Sequence, residues 1–119
     1  MDTNEAIEAF AALSHPGRIA IFRLLVAAGP DGVPAGRIGK QLGQKQNTTS
    51  VNLSVLDRAG LVSGVRDGRQ VIYRANFAAV GGLVAYLLED CCGGRTEACT
   101  PVAASLAQTS SPRPDQCVE

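Results

Sequence analysis

The apolar positions near the start of the chain recur at helical spacing. Ile7, Phe10, Ala11 and Leu13 share one stripe, and Asp2 and Glu5 have the spacing of a capping box. A first helix is therefore expected from the N-terminal residues. Ser14 is placed to cap a second helix with Pro16 in its first turn, where a missing amide proton costs nothing. Ile19, Ile21, Phe22, Leu24 and Leu25 give this helix a broad apolar surface, which predicts a central place in the core; Gly29 and Pro30 stop it. Asp31-Gly32 reads as a turn. Ile38 and Leu42 mark a short third helix, weakened by Gly36 and Gly39 and ended at Gly43. Residues 44–46 form a tight polar turn, and Asn47 is a good cap for a fourth helix that runs to Ala59 and stops at Gly60. Thr49, Leu53 and Leu56 lie on its inner face, with Thr48, Val51, Asn52 and Arg58 on the outer side or its flanks.

The periodicity then changes. Residues 61–66 and 69–75 are strand-like runs on either side of Asp67-Gly68, a strong hairpin signal. A last helix is expected from about Asn76 to Cys92, with Val80, Leu83, Val84, Leu87 and Leu88 at heptad-like spacing and Gly93-Gly94 as its stop. Beyond Thr100 no period survives, and the segment reads as a mobile tail. Two short helices joined by a few polar residues form a helix-turn-helix, and a hairpin follows at once. The expected fold is thus a mainly α winged helix-turn-helix, with about five helices and a two-stranded β-hairpin wing.

Composition narrows the class. A chain of 119 residues with 45% apolar side chains makes one globular domain, small enough that dimerisation would help its stability. The longest apolar stretch, residues 80–88, is far too short to cross a bilayer, and the N-terminus lacks the flank and apolar run of a secretion signal. A cytoplasmic protein with reduced cysteines and no membrane partner is expected. Net charge is zero, yet residues 33–75 hold seven basic side chains against two acidic ones. A basic middle between acidic ends fits a polyanion-binding surface.

Three segments in order then resemble one family. Residues 10–25, with Leu13-Ser14-His15-Pro16 and Arg18 before an aliphatic run, resemble the start of the ArsR/SmtB regulators. Residues 46–62 look like their recognition helix, and residues 68–74 like their wing. The likeness covers roughly residues 5–92 and implies a homodimeric repressor of transcription that places one helix per subunit in the major groove of an inverted-repeat operator. On that frame Gln46, Asn47, Thr48 and Asn52 offer amides and hydroxyls to base edges, and Val51 a methyl contact to thymine. Ser50 matches a family serine near the backbone; Arg66 and Arg69 flank the hairpin tip and reach phosphates or a minor groove. Lys45, Lys40 and Arg58 are phosphate candidates. Asn52 departs from the family pattern, since many relatives have histidine there. His15, the one histidine, reads as a hydrogen-bonded packing residue rather than a ligand, and Arg18 as a pairing residue at the helix base.

Two further departures bear on the inducer. The zinc-sensing members carry histidines and carboxylates on the last helix, and this chain has only His15. The founding arsenic sensors place a cysteine pair near the third helix, and residues 33–43 contain none. What remains is Cys91-Cys92 and, six residues on, Cys99. Adjacent cysteines do not readily form a relaxed disulfide with each other, but both can present sulfur at a fraying helix end. Gly93-Gly94 lets the chain return toward them. Three thiolates suit As(III) or Sb(III); cadmium, lead and bismuth compete on softness, and zinc would want a fourth ligand, which would have to be Cys117, His15 or a carboxylate. The expected organisation is a DNA-binding and dimerisation domain over 1–92, with helices one and five at the interface, then a metalloid-binding loop and tail over 93–119. A redox-sensing repressor pairing Cys91 or Cys92 with Cys99 stays open, as does a cadmium or lead response. No nucleophile with a placed base and no phosphate-cradling loop appears, so an enzyme is not expected.

Overall fold

The computed structural model describes residues 1–88 together with 101, 104 and 105. A first compact unit runs over Met1–Leu83; a second, Val84–Glu119, begins within the last helix, and its described residues are the end of that helix and those three positions.

The first unit opens with helix α1, Thr3–Leu13. Asp2 accepts from the Glu5 amide at 2.8 Å while Glu5 accepts from the Asp2 amide at 2.9 Å, so the capping box is complete. The buried face of α1 differs from the expected stripe. Ala6, Ala9 and Ala12 are buried, whereas Ile7 is 58% exposed and Phe10 37%. Alanines permit close approach to the neighbouring helices α2 and α4, and the larger side chains are left on the outside.

Helix α2, Pro16–Ala28, begins one residue later than expected. Its cap is His15, whose Nδ1 accepts the Gly17 amide at 3.0 Å, and not Ser14. The His15 carbonyl also accepts from Arg18 and Ile19, which fixes the start of the helix. Arg18 donates through Nε to the Ala12 carbonyl, as a pairing residue should. The helix is central: it packs on α1, on α3 and α4, and on β3. Ile21 and Leu25 are completely buried, each contributing about 1.5–3 kcal/mol on leaving water.

A short 3-10 turn, Gly29–Asp31, leads into β1, Val33–Pro34, which the sequence pattern does not reveal. Pro34 cannot donate to a ladder, but β1 is a sheet edge, where that costs nothing. Helix α3 spans Ala35–Leu42 and ends, as expected, on Gly43 in the left-handed conformation. Helix α4, Gln46–Arg58, starts on Lys45 rather than on Asn47, which sits inside its first turn. Its end is a Schellman motif: Gly60 has φ +80°, Leu61 N–H bonds to the Leu56 carbonyl, and both leucines are fully buried.

Strands β2, Val62–Asp67, and β3, Gln70–Ala75, form the wing. Asp67 pairs with Gln70, so the two-residue turn is Gly68-Arg69, one position beyond the expected Asp67-Gly68. Gly68 supplies the positive φ at the first turn position. The antiparallel sheet has three strands in the order β1-β3-β2 instead of two. Asn76 then accepts from the Ala79 amide and donates to the Gly60 carbonyl, tying the start of α5, Phe77–Leu88, to the end of α4. Cys91 and Cys92, expected at the end of α5, lie outside the described residues, as do Cys99 and Cys117.

Candidate nucleic-acid interface

Helices α3 and α4 are held at a crossing so close that only glycine fits between them. A Cβ built on Gly39 would stand 2.9 Å from Thr49 Oγ1 and 3.0 Å from the Gln44 carbonyl oxygen. The Gln44 amide also donates to the Gly39 carbonyl, so the turn folds directly back over α3. The Gln44 side chain completes the clamp: Nε2 donates to the Gly17 carbonyl at 3.1 Å, and Oε1 accepts from Thr49 Oγ1 at 3.3 Å. One residue thereby ties the turn to α2 and to the buried face of α4. From the sequence alone Gln44 is one residue of a polar turn; its only signal is its place between two helices that need a polar tie.

With that face fixed, the opposite face of α4 is presented outward. Lys45, Gln46, Asn47, Thr48 and Ser50 are all exposed, and Val51 is 62% exposed. These are the side chains expected to meet DNA, and the fold places them together on the first two turns of the helix. Asn52 is the correction. It is 4% exposed and shares the inner face with Thr49, Leu53 and Leu56. Its Nδ2 is buried and has no hydrogen-bond partner among the described residues. The spacing 49, 52, 53, 56 is itself a helical stripe, which is the signal that an outward assignment overlooks.

On the wing, Arg66 in β2 and Arg69 in the turn are both exposed. Arg74 is different, because its Nε donates to the Pro30 carbonyl at 2.7 Å, joining β3 to the segment before β1. Lys40, in the last turn of α3, is exposed, and Arg58 is exposed at the far end of α4. His15 and the outward face of α4 meet around a cavity of about 280 Å³ lined by His15, Asn47, Thr48, Val51 and Asn52. No group of three or more histidine, cysteine, aspartate or glutamate side chains converges among the described residues. Among those residues, too, no single helix is long and apolar enough to cross a membrane.

Comparison with known proteins fits this arrangement. A helix-turn-helix domain family matches residues 13–65, from the end of α1 into the wing. The HTH-type transcriptional regulator YbzH of Bacillus subtilis is 33% identical over 97 residues, covering 70% of this chain and 95% of YbzH. Rv0081 of Mycobacterium tuberculosis, also an HTH-type transcriptional regulator, is 39% identical over 66 residues; the match spans little more than half of either protein, 56% of each. Among solved structures, an ArsR-like transcriptional regulator from Rhodococcus superposes with a TM-score of 0.64 at 27% identity, covering 92% of this chain and 96% of that one. The homodimeric winged helix-turn-helix domain of Mb0332 from Mycobacterium bovis, a possible ArsR-family regulator, gives 0.58 at 28% identity over 73% of this chain and 81% of that one. With its helix-turn-helix, its wing and a relative matched over nearly its whole length, the chain belongs to the winged helix-turn-helix transcriptional regulators of the ArsR type.

Proposed function

We infer that the chain is a homodimeric repressor that holds operator DNA with α4 and the wing, and releases it when As(III) or Sb(III) binds Cys91, Cys92 and Cys99. The observation that carries the DNA reading is the outward set on α4, backed by a buried face that fixes its direction. Gln46, Asn47, Thr48 and Val51 suit base edges, while Ser50, Lys45, Arg66 and Arg69 suit the backbone. A two-fold dimer would set two such helices against successive major grooves of an inverted repeat. Exposed Ile7 and Phe10 on α1, with Phe77 at the start of α5, supply apolar surface for that dimer, and Mb0332 is a homodimer of the same fold. On this reading the protein works in the cytoplasm, beside the DNA it regulates.

The inducer reading rests on donor chemistry. Trivalent arsenic and antimony form three strong bonds to soft sulfur and need no fourth ligand, and the chain offers three closely spaced thiols without a histidine among them. Ion binding just beyond α5 would favour a dimer geometry in which the reading heads no longer fit their half-sites, a coupling of about 1–3 kcal/mol. The test is ion-dependent release of labelled operator. Cys91→Ser, Cys92→Ser and Cys99→Ser should each abolish release by arsenite yet retain DNA binding; Cys117→Ser should respond nearly as the parent. Release by peroxide alone would move the reading to a redox sensor, and release by zinc, cadmium or lead with no arsenite response would remove the metalloid. A response that survives loss of both Cys91 and Cys92 would overturn the sensor site.

A further inference from the structure

The cavity between the start of α2 and the flank of α4 contains polar groups that folding leaves unspent. Asn52 lines it, and its amide nitrogen is buried with no partner among the described residues. Buried donors are almost always satisfied, and an orphan at this depth is a standing penalty that folding alone does not explain. Its neighbour is Gly17, where an added Cβ would come within 2.9 Å of Asn52 Nδ2 and 3.2 Å of the His15 ring. His15 is held in one tautomer. Its Nδ1 accepts the Gly17 amide, so in the neutral ring the proton sits on Nε2. Along the third wall, α4 begins on Lys45 with no side-chain cap, and its first intrahelical amide bond is Thr49 to Lys45. The amides of Gln46, Asn47 and Thr48 therefore stand at a helix N-terminus without an acceptor in their own helix. The buried Asn52 Nδ2 and the uncapped amides at the start of α4 are all donors.

We propose that this cavity seats one phosphodiester group of the bound DNA, which accepts from His15 Nε2–H and from the Asn52 amide. The proposal rests on the DNA reading above and extends it to a residue outside the recognition helix. Clustered donors at an uncapped helix start favour an anion. The cavity shares Asn47, Thr48 and Val51 with the outward face of α4, so DNA lying on that face brings a backbone phosphate to its mouth. The terminal amide torsion of asparagine is broad, and one turn carries an N–H toward the cavity without backbone movement. His15 is then an anchor that positions the helix without reading sequence, and Asn52 exchanges an orphaned state in the free protein for a satisfied one in the complex.

The test uses the full chain and His15→Asn, which keeps a good N-cap for α2 but is too short to reach a phosphate. Duplexes are the tightest binder from in-vitro selection, a scrambled control, and copies of the former with single neutral methylphosphonates. Anisotropy should show His15→Asn weakening selected and scrambled DNA alike, by about threefold to tenfold. One methylphosphonate position should weaken the parent by a similar factor and add nothing to His15→Asn. Asn52→Leu supplies a second signature: thermal stability equal to or above the parent, since the orphan is removed, together with weaker DNA binding. If every methylphosphonate affects parent and His15→Asn equally, or if Asn52→Leu lowers the melting temperature and spares DNA binding, the phosphate seat is wrong although DNA reading stands. Failure of the parent to bind any duplex removes both. Inorganic phosphate titrated against the His15 ring nitrogen signals decides the source: saturation in the low-millimolar range without DNA would mean a free-anion site and overturn the proposal.

Discussion

The helix-turn-helix and the wing present side chains to the same polyanion but are built in opposite ways. The first is fixed by side chains and close approach: Gly39 under Thr49, the Gln44 clamp, and a buried stripe on α4. The wing is fixed by its backbone. From Ser63 to Gln70 every residue is exposed, and six register pairs between β2 and β3 hold it together. Below the tip it is packed through buried Val62 and Ala75, the half-buried residues 71–74 of β3 beside β1, and the bond from Arg74 to Pro30. The contrast follows from what each must deliver. Base edges demand a helix at a fixed depth and rotation, whereas phosphate contacts tolerate variation in where a long arginine begins.

The largest effect should come from the wing's root. Gly32 has φ +73° and ψ −172°, a region open essentially to glycine, and an added Cβ would lie 2.6 Å from the Tyr73 carbonyl oxygen. Gly32→Ala is expected to cost more than about 3 kcal/mol, since backbone strain and a backbone clash add. Chemical denaturation measures it; a loss under about 1 kcal/mol would mean that the root yields more readily than its geometry implies.

Next comes a pair within α3. Gly39→Ala gains about 1 kcal/mol of helix propensity but loses about 1–3 kcal/mol to overpacking against an immovable carbonyl, so it should destabilise and blunt DNA binding. Gly36 meets nothing within 4 Å, so Gly36→Ala should stabilise by about 0.5 kcal/mol. Thermal melts showing the same sign for both would show that close approach does not hold this helix pair.

The smallest stability effect belongs to the wing tip. Arg69→Ala should change stability by less than about 0.5 kcal/mol, yet weaken specific and non-specific DNA binding alike and flatten the log–log salt slope by about one unit. Unchanged affinity would remove the wing from the interface.

Much of this was legible because local chemistry and global fold agree. The Asp2–Glu5 box, Gly43, Gly60 and the hairpin turn each announce an element end through backbone requirements that few residues meet. Legibility failed where a residue's chemistry was read without its place on a stripe. Asn52 is polar but falls on the buried spacing, and Ile7 and Phe10 are large but fall outside it. Caps slipped by a residue or two where several polar side chains stand in a row, as at Ser14-His15 and Lys45-Gln46-Asn47. Strand β1 is invisible because two residues have no period, and its pairing, Val33 to Tyr73 and Pro34 to Ile72, is a tertiary fact.

The strand order β1-β3-β2 has a consequence for behaviour in concentrated solution. β3 is flanked on both sides, which leaves β2 with an open rim of backbone donors and acceptors. Such rims invite sheets from separate molecules to join. Here the rim carries Ser63, Gly64, Val65, Arg66 and Asp67, a stretch with a single exposed valine among polar residues and both signs of charge. The composition that suits a groove of DNA thus also guards the strand against self-templated stacking.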